Sequence, residues 1–486
     1  MTGRHVWAGV DLGTQSVRAV LADDDGTVLG RGSATLTGTR DGERHEQDPE
    51  SWWRAAVAAL RRATADAGRP PVAGVACCGT SGTILLVEDA PGDPARPLTP
   101  GLMYDDARAV AEAARVAAAP APAWAEAGLR PQRTWALPKA LWLLRHHRDH
   151  PRARIAHQVD VITSRLTGHP AATDTSNALK TGADPVSGTW PLADLARLGL
   201  PADRLPPLVR PGDTLGQVSP AAAEATGLTS GAPVVAGMTD GCAAQIAAGV
   251  LEPGRWSFVA GTTTVLKGVA DTLPTDPTGA LYSHRSPDRR WWPGGASSAG
   301  AGLLTREFGG PRPELESGGS GAVTYPLSGL GERFPFQRAD ARAFTLGTVA
   351  SDRDRYTAIL RGVVLAARLS LDHVARLGLP VEGAVTVTGG ASRSDHWMRL
   401  HAAGLRREIR VPAEAEGAFG MAVLAAASAN GGLVTAARRM LGPARTFAPE
   451  HPGPLDEAYA RLVGELAARG WIDAGLAAAA APGGDR

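Results

Sequence analysis

Apolar and polar positions follow the same pattern in two distant stretches of the chain. Residues 6–35 contain apolar, alternating segments joined by short turns, which predicts three antiparallel strands with a strong turn at Asp23-Asp24-Asp25-Gly26. The first of these turns is Gly13-Thr14-Gln15-Ser16. Residues 256–270 repeat the pattern, with Gly261-Thr262-Thr263-Thr264 as the turn. Each half of the chain therefore contains a predicted strand–turn–strand unit built on a Gly-Thr turn.

The stretches between and after these units predict alternating helices and strands. Residues 105–200 are predicted to be mostly helical, and the low-complexity end 477–486 to be frayed. The clearest segments predict strands at 72–77, 84–87, 233–236, 381–388 and 409–411, and helices at 48–67, 242–248, 394–403, 417–427 and 455–468. This order indicates an α/β fold.

Length and composition narrow the class of protein. A chain of 486 residues exceeds one ordinary core, which favours two domains. The net charge of +1 provides no bulk field that would attract nucleic acid or an anionic membrane. Three cysteines without a C-x-x-C pair argue against a disulfide framework or a zinc site, and they favour a reducing cytoplasm. Because neither a signal peptide nor a membrane span is visible, we expect a cytoplasmic protein.

The two Gly-Thr turns suggest phosphate chemistry. A Gly-Thr hairpin offers backbone N–H groups and hydroxyls where Cβ atoms do not block an anion. Two such hairpins facing one another could hold a polyphosphate. The pair therefore raises a hypothesis of phosphoryl transfer.

Two carboxylates accompany these turns. Asp11 closes the first strand, and a carboxylate beside a phosphate requires a cation, for which Mg²⁺ is suited. A turn aspartate that bonds its own backbone is an equally good interpretation of Asp11. Asp240 lies between an apolar strand and a helix of small residues, a position suited to a catalytic base. Capping of that helix is the alternative interpretation.

Further polar and glycine positions suit the two other groups that a phosphoryl transfer would bind, the adenosine of the nucleotide and a polyol acceptor. Gly389-Gly390-Ala391, followed by Ser394, would let an adenosine ring lie against the backbone, although glycine turns before helices are common. Ser81, Tyr104 and Asp106 offer hydroxyls and a carboxylate that suit a polyol. Taken singly, each of these three residues is more often structural.

In this order and spacing, the motifs around Asp11, Asp240, Gly261 and Gly389 resemble the FGGY carbohydrate kinases over about residues 6–450. The resemblance implies two ribonuclease-H-like domains of the actin, hexokinase and Hsp70 superfamily, with a cleft between them. It implies a sugar-binding domain over 1–243, an ATP-binding domain over 244–450, and a C-terminal helix and tail over 451–486.

The resemblance also implies roles for single residues. Asp240 corresponds to the catalytic base, and Asp11 and Asp240 lie at the sugar and at Mg²⁺. ATP would be held by the residues of two phosphate loops and an adenosine loop: Gly13, Thr14, Gln15, Ser16, Gly261, Thr262, Thr263, Gly389, Gly390, Ala391 and Ser394. Ser81, Tyr104 and Asp106 would contact the sugar.

The stretch Thr80-Ser81-Gly82-Thr83 bears on the substrate. Xylulokinases carry Met-His-Gly there, whereas this stretch and Ser176-Asn177-Ala178-Leu179-Lys180 resemble the D-ribulose kinases of cyanobacteria and plants. The resemblance implies ATP-dependent conversion of D-ribulose to D-ribulose 5-phosphate by a monomer or homodimer, with no nucleic-acid or membrane partner. A xylulokinase, another pentose or pentitol kinase, and a non-catalytic sensor that binds ATP and sugar stay open.

Overall fold

The computed structural model describes residues 4–120, 122–450 and 453–481, which fold as two compact α/β units. Unit 1 contains the chain up to Gly249 together with residues 284–289 and 414–442. Unit 2 contains residues 250–283 and 290–413 and the chain from Pro443 onward. The segment 414–442 therefore follows most of unit 2 in the chain but folds with unit 1. The predicted ligand-binding domains, with boundaries at 243 and 450, and the cleft between them stay predictions.

The strands are mostly short and cluster at the start of each unit. In the described residues they are β1 Val6–Leu12, β2 Ser16–Asp23, β3 Val28–Thr35, β4 Thr39–Asp41, β5 Arg44–Gln47, β6 Val72–Gly79, β7 Ile84–Ala90, β8 Asp93–Pro97, β9 Gly101–Leu102, β10 Arg154–His157, β11 Thr173–Asp174, β12 Leu208–Val209, β13 Thr214–Gln217, β14 Pro233–Val235, β15 Trp256–Ala260, β16 Thr264–Gly268, β17 Tyr282–Arg285, β18 Trp291–Ser297, β19 Val323–Tyr325, β20 Phe344–Leu346, β21 Val385–Thr388, β22 Ile409–Pro412 and β23 Ala444–Phe447.

The helices range from single turns to one long helix, α11. In the described residues they are α1 Pro49–Asp66, α2 Val110–Ala118, α3 Pro122–Glu126, α4 Ala136–His146, α5 Gln158–Thr167, α6 Thr175–Ala178, α7 Leu192–Arg197, α8 Pro220–Thr226, α9 Asp240–Ala247, α10 Gly302–Phe308, α11 Asp352–Arg376, α12 Asp395–Leu405, α13 Gly417–Ala427, α14 Leu433–Met440, α15 Leu455–Ala468 and α16 Ala474–Ala479.

The main sheet of unit 1 has the strand order β13-β14-β6-β1-β2-β3. Its first three strands in the sequence, β1 to β3, form the predicted antiparallel meander. On the other side of β1, the strands β6 and β14 run parallel to it. The carboxyl ends of β1, β6 and β14 therefore meet at one edge of the sheet.

The main sheet of unit 2 has the order β17-β18-β16-β15-β21-β22-β23. It repeats the arrangement of unit 1, because β15 pairs antiparallel with β16 and β16 with β18, while β21 and β22 run parallel to β15. The second strand–turn–strand unit, predicted to begin at residue 256, is therefore confirmed.

The sheet of unit 1 is covered on both faces. The helix α1 begins after Asp48, whose side chain accepts a hydrogen bond from the N–H of Glu50, and it buries one stripe that includes Trp52 and Leu60. On the opposite face lies α13, in which every residue is buried. The sequence predicted the bounds of α13 correctly, since a continuous run of small apolar residues suits a fully buried helix.

Several predicted elements differ from the structure. The strand predicted at 381–388 begins at Val385, and the mostly helical stretch 105–200 also contains β10 and β11. The helix predicted to begin at residue 242 begins at Asp240. The frayed end predicted from 477 is partly helical, because α16 reaches Ala479, while residues 482–486 lie outside the described residues. Among the described helices, none is both long and apolar enough to cross a bilayer.

Candidate active site

Two carboxylates lie at the carboxyl edge of the sheet in unit 1. In the pairing of β1 with β6, Asp11 is opposite Cys78. An isolated bridge joins Gly79 to Thr239, the residue before Asp240. Because neighbouring strands are about 4.8 Å apart, the backbones that carry Asp11 and Asp240 are about 10 Å apart. The side chains of both residues are half-buried.

Asp11 has an electrostatic environment that disfavours its charge. Burial, and then the charge of Asp240, raise the pKa of Asp11 to about 6, against the opposing effects of Cys78 and Arg18. The thiol of Cys78 donates to Oδ1 of Asp11 at 3.3 Å. A cation between the two carboxylates would relieve their repulsion.

The predicted phosphate loop of unit 1 is a tight hairpin. The N–H of Gly13 donates to the carbonyl of Ser16 at 3.0 Å. The loop is also held from outside, because Nε2 of Gln47 donates to the carbonyl of Thr14 at 2.7 Å and the N–H of Leu36 donates to the carbonyl of Gln15 at 2.8 Å. The carbonyls of Thr14, Gln15 and Ser16 are thus engaged by the protein, and so is the N–H of Gly13, so an anion at this loop would bind to its hydroxyls and its other N–H groups.

Asp240 is the first residue of α9, and its Oδ1 accepts the N–H of Gly241 at 2.7 Å. Thr239 occupies the N-cap position but its side chain makes no capping bond, whereas the Asp240 carboxylate accepts an N–H of the first turn, so the capping and the catalytic interpretations of Asp240 both stay open. Because Asp240 begins the helix at the sheet edge, its carboxylate shares this edge with Asp11.

Ser81 lies in the turn that joins β6 to β7, two residues beyond Gly79 at the same edge. Its Oγ is buried and has no hydrogen-bond partner among the described residues. Gly82 takes a φ of +97°, and a Cβ there would lie 3.3 Å from Cδ of Lys180. Nζ of Lys180 approaches the carbonyl of Ser81 at 3.4 Å. The turn therefore presents a hydroxyl that needs a partner.

Tyr104 and Asp106 follow β9, a strand of the second six-stranded sheet of unit 1, which has the order β10-β7-β9-β5-β4 with β8 paired to β7. Tyr104 is 42% exposed, whereas Asp106 is fully buried. The Asp106 carboxylate accepts the N–H of His45 at 2.8 Å and Nη2 of Arg108 at 2.7 Å. A sugar contact of Asp106 stays a prediction, and it would have to share oxygens that these partners already occupy.

The predicted nucleotide loops of unit 2 lie on neighbouring parallel strands. The N–H of Gly261 donates to the carbonyl of Thr263 at 3.0 Å, and the N–H of Gly302 donates to the carbonyl of Thr262 at 3.0 Å. Gly389 has a φ of +89°, and a Cβ there would come within 2.6 Å of the carbonyl oxygen of Ala260. Glycine is therefore required at 389 for the two loops to lie side by side.

The remaining residues of the adenosine loop differ in how accessible they are. A Cβ on Gly390 would meet no described atom within 4 Å, so this residue borders open space, whereas Ala391 is buried. Ser394 caps α12 by accepting the N–H of Trp397, and its Oγ donates to Glu316 at 2.6 Å. Contact of Ser394 with a nucleotide stays a prediction.

Sequence reasoning missed three residues beside Asp11, namely Cys78, Arg18 and Gly417. Arg18 is directly opposite Asp11 in the β1–β2 hairpin and lowers its pKa; the hairpin register could have revealed this pair. Gly417, the first residue of α13, is so close that a Cβ would lie 3.0 Å from Oδ2 of Asp11. Because more than 400 residues separate Gly417 from Asp11, no local pattern could have indicated this contact.

The carboxylates suit Mg²⁺ better than a metal that requires a full set of protein ligands. The described residues contain no group of three or more His, Cys, Asp or Glu side chains placed to hold a metal ion. Mg²⁺ commonly binds through one or two carboxylates, with water and phosphate oxygens completing the shell. Asp11 and Asp240 therefore fit a Mg²⁺ that arrives with a polyphosphate.

Comparison with known proteins identifies the class. Residues 6–247 match the N-terminal domain, and residues 311–429 the C-terminal domain, of the FGGY family of carbohydrate kinases. The chain belongs to this family, whose fold is that of the actin and hexokinase superfamily. It is thus a sugar kinase that uses ATP, and the predicted family, fold class and enzyme class are confirmed.

Individual relatives align with nearly the whole chain. The xylulose kinase of Escherichia coli is 26% identical over 87% of this chain and 90% of its own length. The xylulose kinase of Streptomyces rubiginosus is 29% identical over 88% of each. The crystal structure of a xyloylose kinase from Brucella ovis superposes with a TM-score of 0.86 at 27% identity, over 96% of this chain and all of that one.

Proposed function

We propose that this kinase transfers the γ-phosphate of ATP to the terminal hydroxyl of a ketopentose, D-ribulose, and forms D-ribulose 5-phosphate. The main support is the pair Asp11 and Asp240 at the sheet edge that also carries the Gly13–Ser16 hairpin. A carboxylate pair beside an anion-binding turn supplies a base and a cation site together.

Asp240 is the proposed base. It accepts a proton from the attacking hydroxyl as the bond to phosphorus forms. At the start of α9 it is held on rigid backbone, and the N–H of Gly241 donates to its Oδ1. A base held in this way orients the hydroxyl without large movement of its own side chain.

The hairpins Gly13–Ser16 and Gly261–Thr263 would each offer N–H groups and hydroxyls to phosphate oxygens, and Gly389–Ala391 would lie against the adenosine. Asp11 and Asp240 would hold Mg²⁺. When bound, the ion neutralises charge on the transferring phosphoryl group. Arg18, which lies opposite Asp11 in the pairing of β1 with β2, adds a positive charge beside it.

The choice of D-ribulose depends on the turn at Ser81. Its hydroxyl is buried and unpartnered in the described part of the chain, which supports a sugar hydroxyl as its partner. The Thr80–Thr83 stretch also lacks the Met-His-Gly of xylulokinases. D-xylulose is the second candidate and is consistent with the similarity to xylulose kinases.

A panel of D-ribulose, D-xylulose, L-ribulose, ribitol and glycerol in a coupled ADP-release assay tests the substrate. We expect the highest kcat/KM with D-ribulose. A clear preference for D-xylulose would replace the first candidate by the second. Nucleotide binding without ADP release for any sugar would favour the non-catalytic sensor.

The variant Asp240→Asn tests the base. We expect transfer to fall by a factor of about 10³ or more, while ATP binding is nearly unchanged, because general-base catalysis and charge stabilisation are both lost. Calorimetric titration with ATP provides the control for folding and binding. Activity above a few per cent of the parent would remove Asp240 from this role.

A further inference from the structure

A buried polar turn lies against the backbone that leads into α9. The Oγ of Ser176, on the short helix α6, accepts the N–H of Thr239 at 2.8 Å. Ser176 and Thr239 are each 1% exposed. The bond joins residues that are 63 positions apart in the chain, and Asp240 follows it by one peptide.

Ser176 is itself held firmly. Oδ1 of Asp174 accepts the N–H of Ser176 and the N–H of Asn177, both at 2.9 Å. Oδ2 of the same carboxylate accepts Nδ2 of Asn177 at 2.6 Å. All three side chains are buried. A buried, hydrogen-bonded cluster of this kind is rigid, so the backbone that carries the Ser176 side chain is held in place.

Thr239 is held from two sides. On one side it forms the parallel bridge to Gly79 of β6, and on the other it donates to Ser176. Its carbonyl accepts the N–H groups of Cys242 and Ala243, which begin the helix. Rotation of the backbone at Thr239 would therefore move both the start of α9 and the carboxylate of Asp240.

We propose that Ser176 is a positioning residue for phosphoryl transfer: by accepting the N–H of Thr239, it holds the backbone from which Asp240 reaches the acceptor hydroxyl. The inference rests on the proposed role of Asp240 as the base. Ser176 touches neither substrate nor phosphate in this account. It acts only through the backbone at 239–240.

The variant Ser176→Ala tests the inference against a matched control. Ser164 on α5 is also a buried serine of unit 1, and its Oγ accepts the N–H of Ala171 at 3.0 Å. Ser164→Ala therefore loses an equivalent bond, but one to the backbone N–H of residue 171 rather than to that of Thr239. Since a misplacement of about 1 Å can cost about 10²-fold, we expect kcat to fall about 10- to 100-fold in Ser176→Ala, with KM for ATP unchanged. Ser164→Ala should keep kcat near the parent value.

Two further variants separate positioning from general damage. Ser176→Thr keeps the oxygen acceptor and should recover most of kcat. Ser176→Cys keeps the volume but offers only a weak sulfur acceptor, so it should give an intermediate kcat even if the alanine variant does not fold. Equal losses of kcat in Ser176→Ala and Ser164→Ala, or no graded order among the Ser176 variants, would overturn the inference.

Hydrogen exchange provides a readout that needs no sugar. In Ser176→Ala, amides of residues 236–241 should exchange faster than in the parent, whereas Ser164→Ala should leave them unchanged. Unchanged exchange there would also reject the inference. If Asp240→Asn stays active, the base assignment fails; if Asp240→Asn is inactive while Ser176→Ala is fully active, only the role of Ser176 fails.

Discussion

At the scale of single residues, burial changes the acidity of several side chains in this protein. Burial lowers the pKa of Lys139 to about 7, with Asp106 opposing the shift, and burial with Asp240 raises the pKa of Asp11 to about 6. Burial also lowers the pKa of His401 on α12 to about 4. His401 is 1% exposed, and its Nδ1 lies 2.8 Å from the carbonyl of Trp397, which makes that nitrogen the donor.

Because His401 is buried with a lowered pKa, we expect the free energy of unfolding to fall in mild acid. Its folded pKa is below the unfolded value of about 6.5, so its stabilising contribution is present above pH 6.5 and is lost as the pH falls toward 4. Between pH 7 and pH 5 the loss should be about 2 kcal/mol of unfolding free energy. Urea unfolding of the parent and of His401→Gln at pH 7 and at pH 5 measures how much of the loss in unfolding free energy is due to His401.

The variant Met398→Leu provides the control on the same helix. It conserves volume at a fully buried position and introduces no titrating group, so any change in stability should be equal at both pH values. An equal pH dependence in the parent and in His401→Gln would show that His401 does not contribute.

At the scale of elements, glycines allow helices and strands to approach unusually closely. A Cβ on Gly9 of β1 would lie 1.8 Å from the carbonyl oxygen of Ala418 and 2.4 Å from the N of Ala422, both in α13. A Cβ on Gly420 would lie 2.1 Å from the carbonyl oxygen of Ala243 in α9. Because these obstacles are backbone atoms, no side-chain rotation can remove them. The contacts place α13 against both β1 and α9.

The variant Gly9→Ala should destabilise unit 1 by about 3 kcal/mol, since α13 must shift to admit the methyl group. Gly464→Ala is the control, because Gly464 lies exposed in α15 and a Cβ there would meet no described atom within 4 Å. The substitution Gly464→Ala should stabilise the protein by up to about 1 kcal/mol, because alanine has a higher helix propensity than glycine. Thermal unfolding measures both. A neutral Gly9→Ala would contradict the close packing.

At the scale of the whole molecule, each of the two units is assembled from separate stretches of the chain. The segment 414–442 carries α13 and α14, and it folds with unit 1 although most of unit 2 precedes it in the chain. In β1, Ala8, Val10 and Leu12 belong to the core cluster that includes residues of α1, whereas Gly9 meets α13. A fragment that ends at Gly249 would lack α13, so the face of β1 that carries Gly9 would be uncovered.

We therefore expect the fragment up to Gly249 to be insoluble or to bind a hydrophobic dye when expressed alone. Co-expression with the segment 414–442 should restore a folded, soluble complex, because α13 again covers β1. Co-expression with 453–481, which belongs to unit 2, is the control and should have no effect. A well-dispersed NMR spectrum of the fragment alone would contradict this prediction.

The sequence by itself determined the local elements and the reaction class. Both Gly-Thr hairpins, the helix capped by Asp48 and the bounds of α13 follow from turn chemistry and from periods of 2 and 3.6 residues, which act over a few neighbouring positions. The order of Asp11, Asp240, Gly261 and Gly389 was enough to indicate a sugar kinase, which the family comparison confirmed.

Only the tertiary structure decided which distant residues support that chemistry. The sheet order brings Asp11 and Asp240 to one edge, the packing of α13 brings Gly417 to Asp11, and the α6 turn brings Ser176 to Thr239. No local pattern indicates these contacts, because each depends on the direction in which separate elements pack after the chain has folded. The hairpins could be recognised from a few residues, whereas the surroundings of the two carboxylates required the fold of the whole unit.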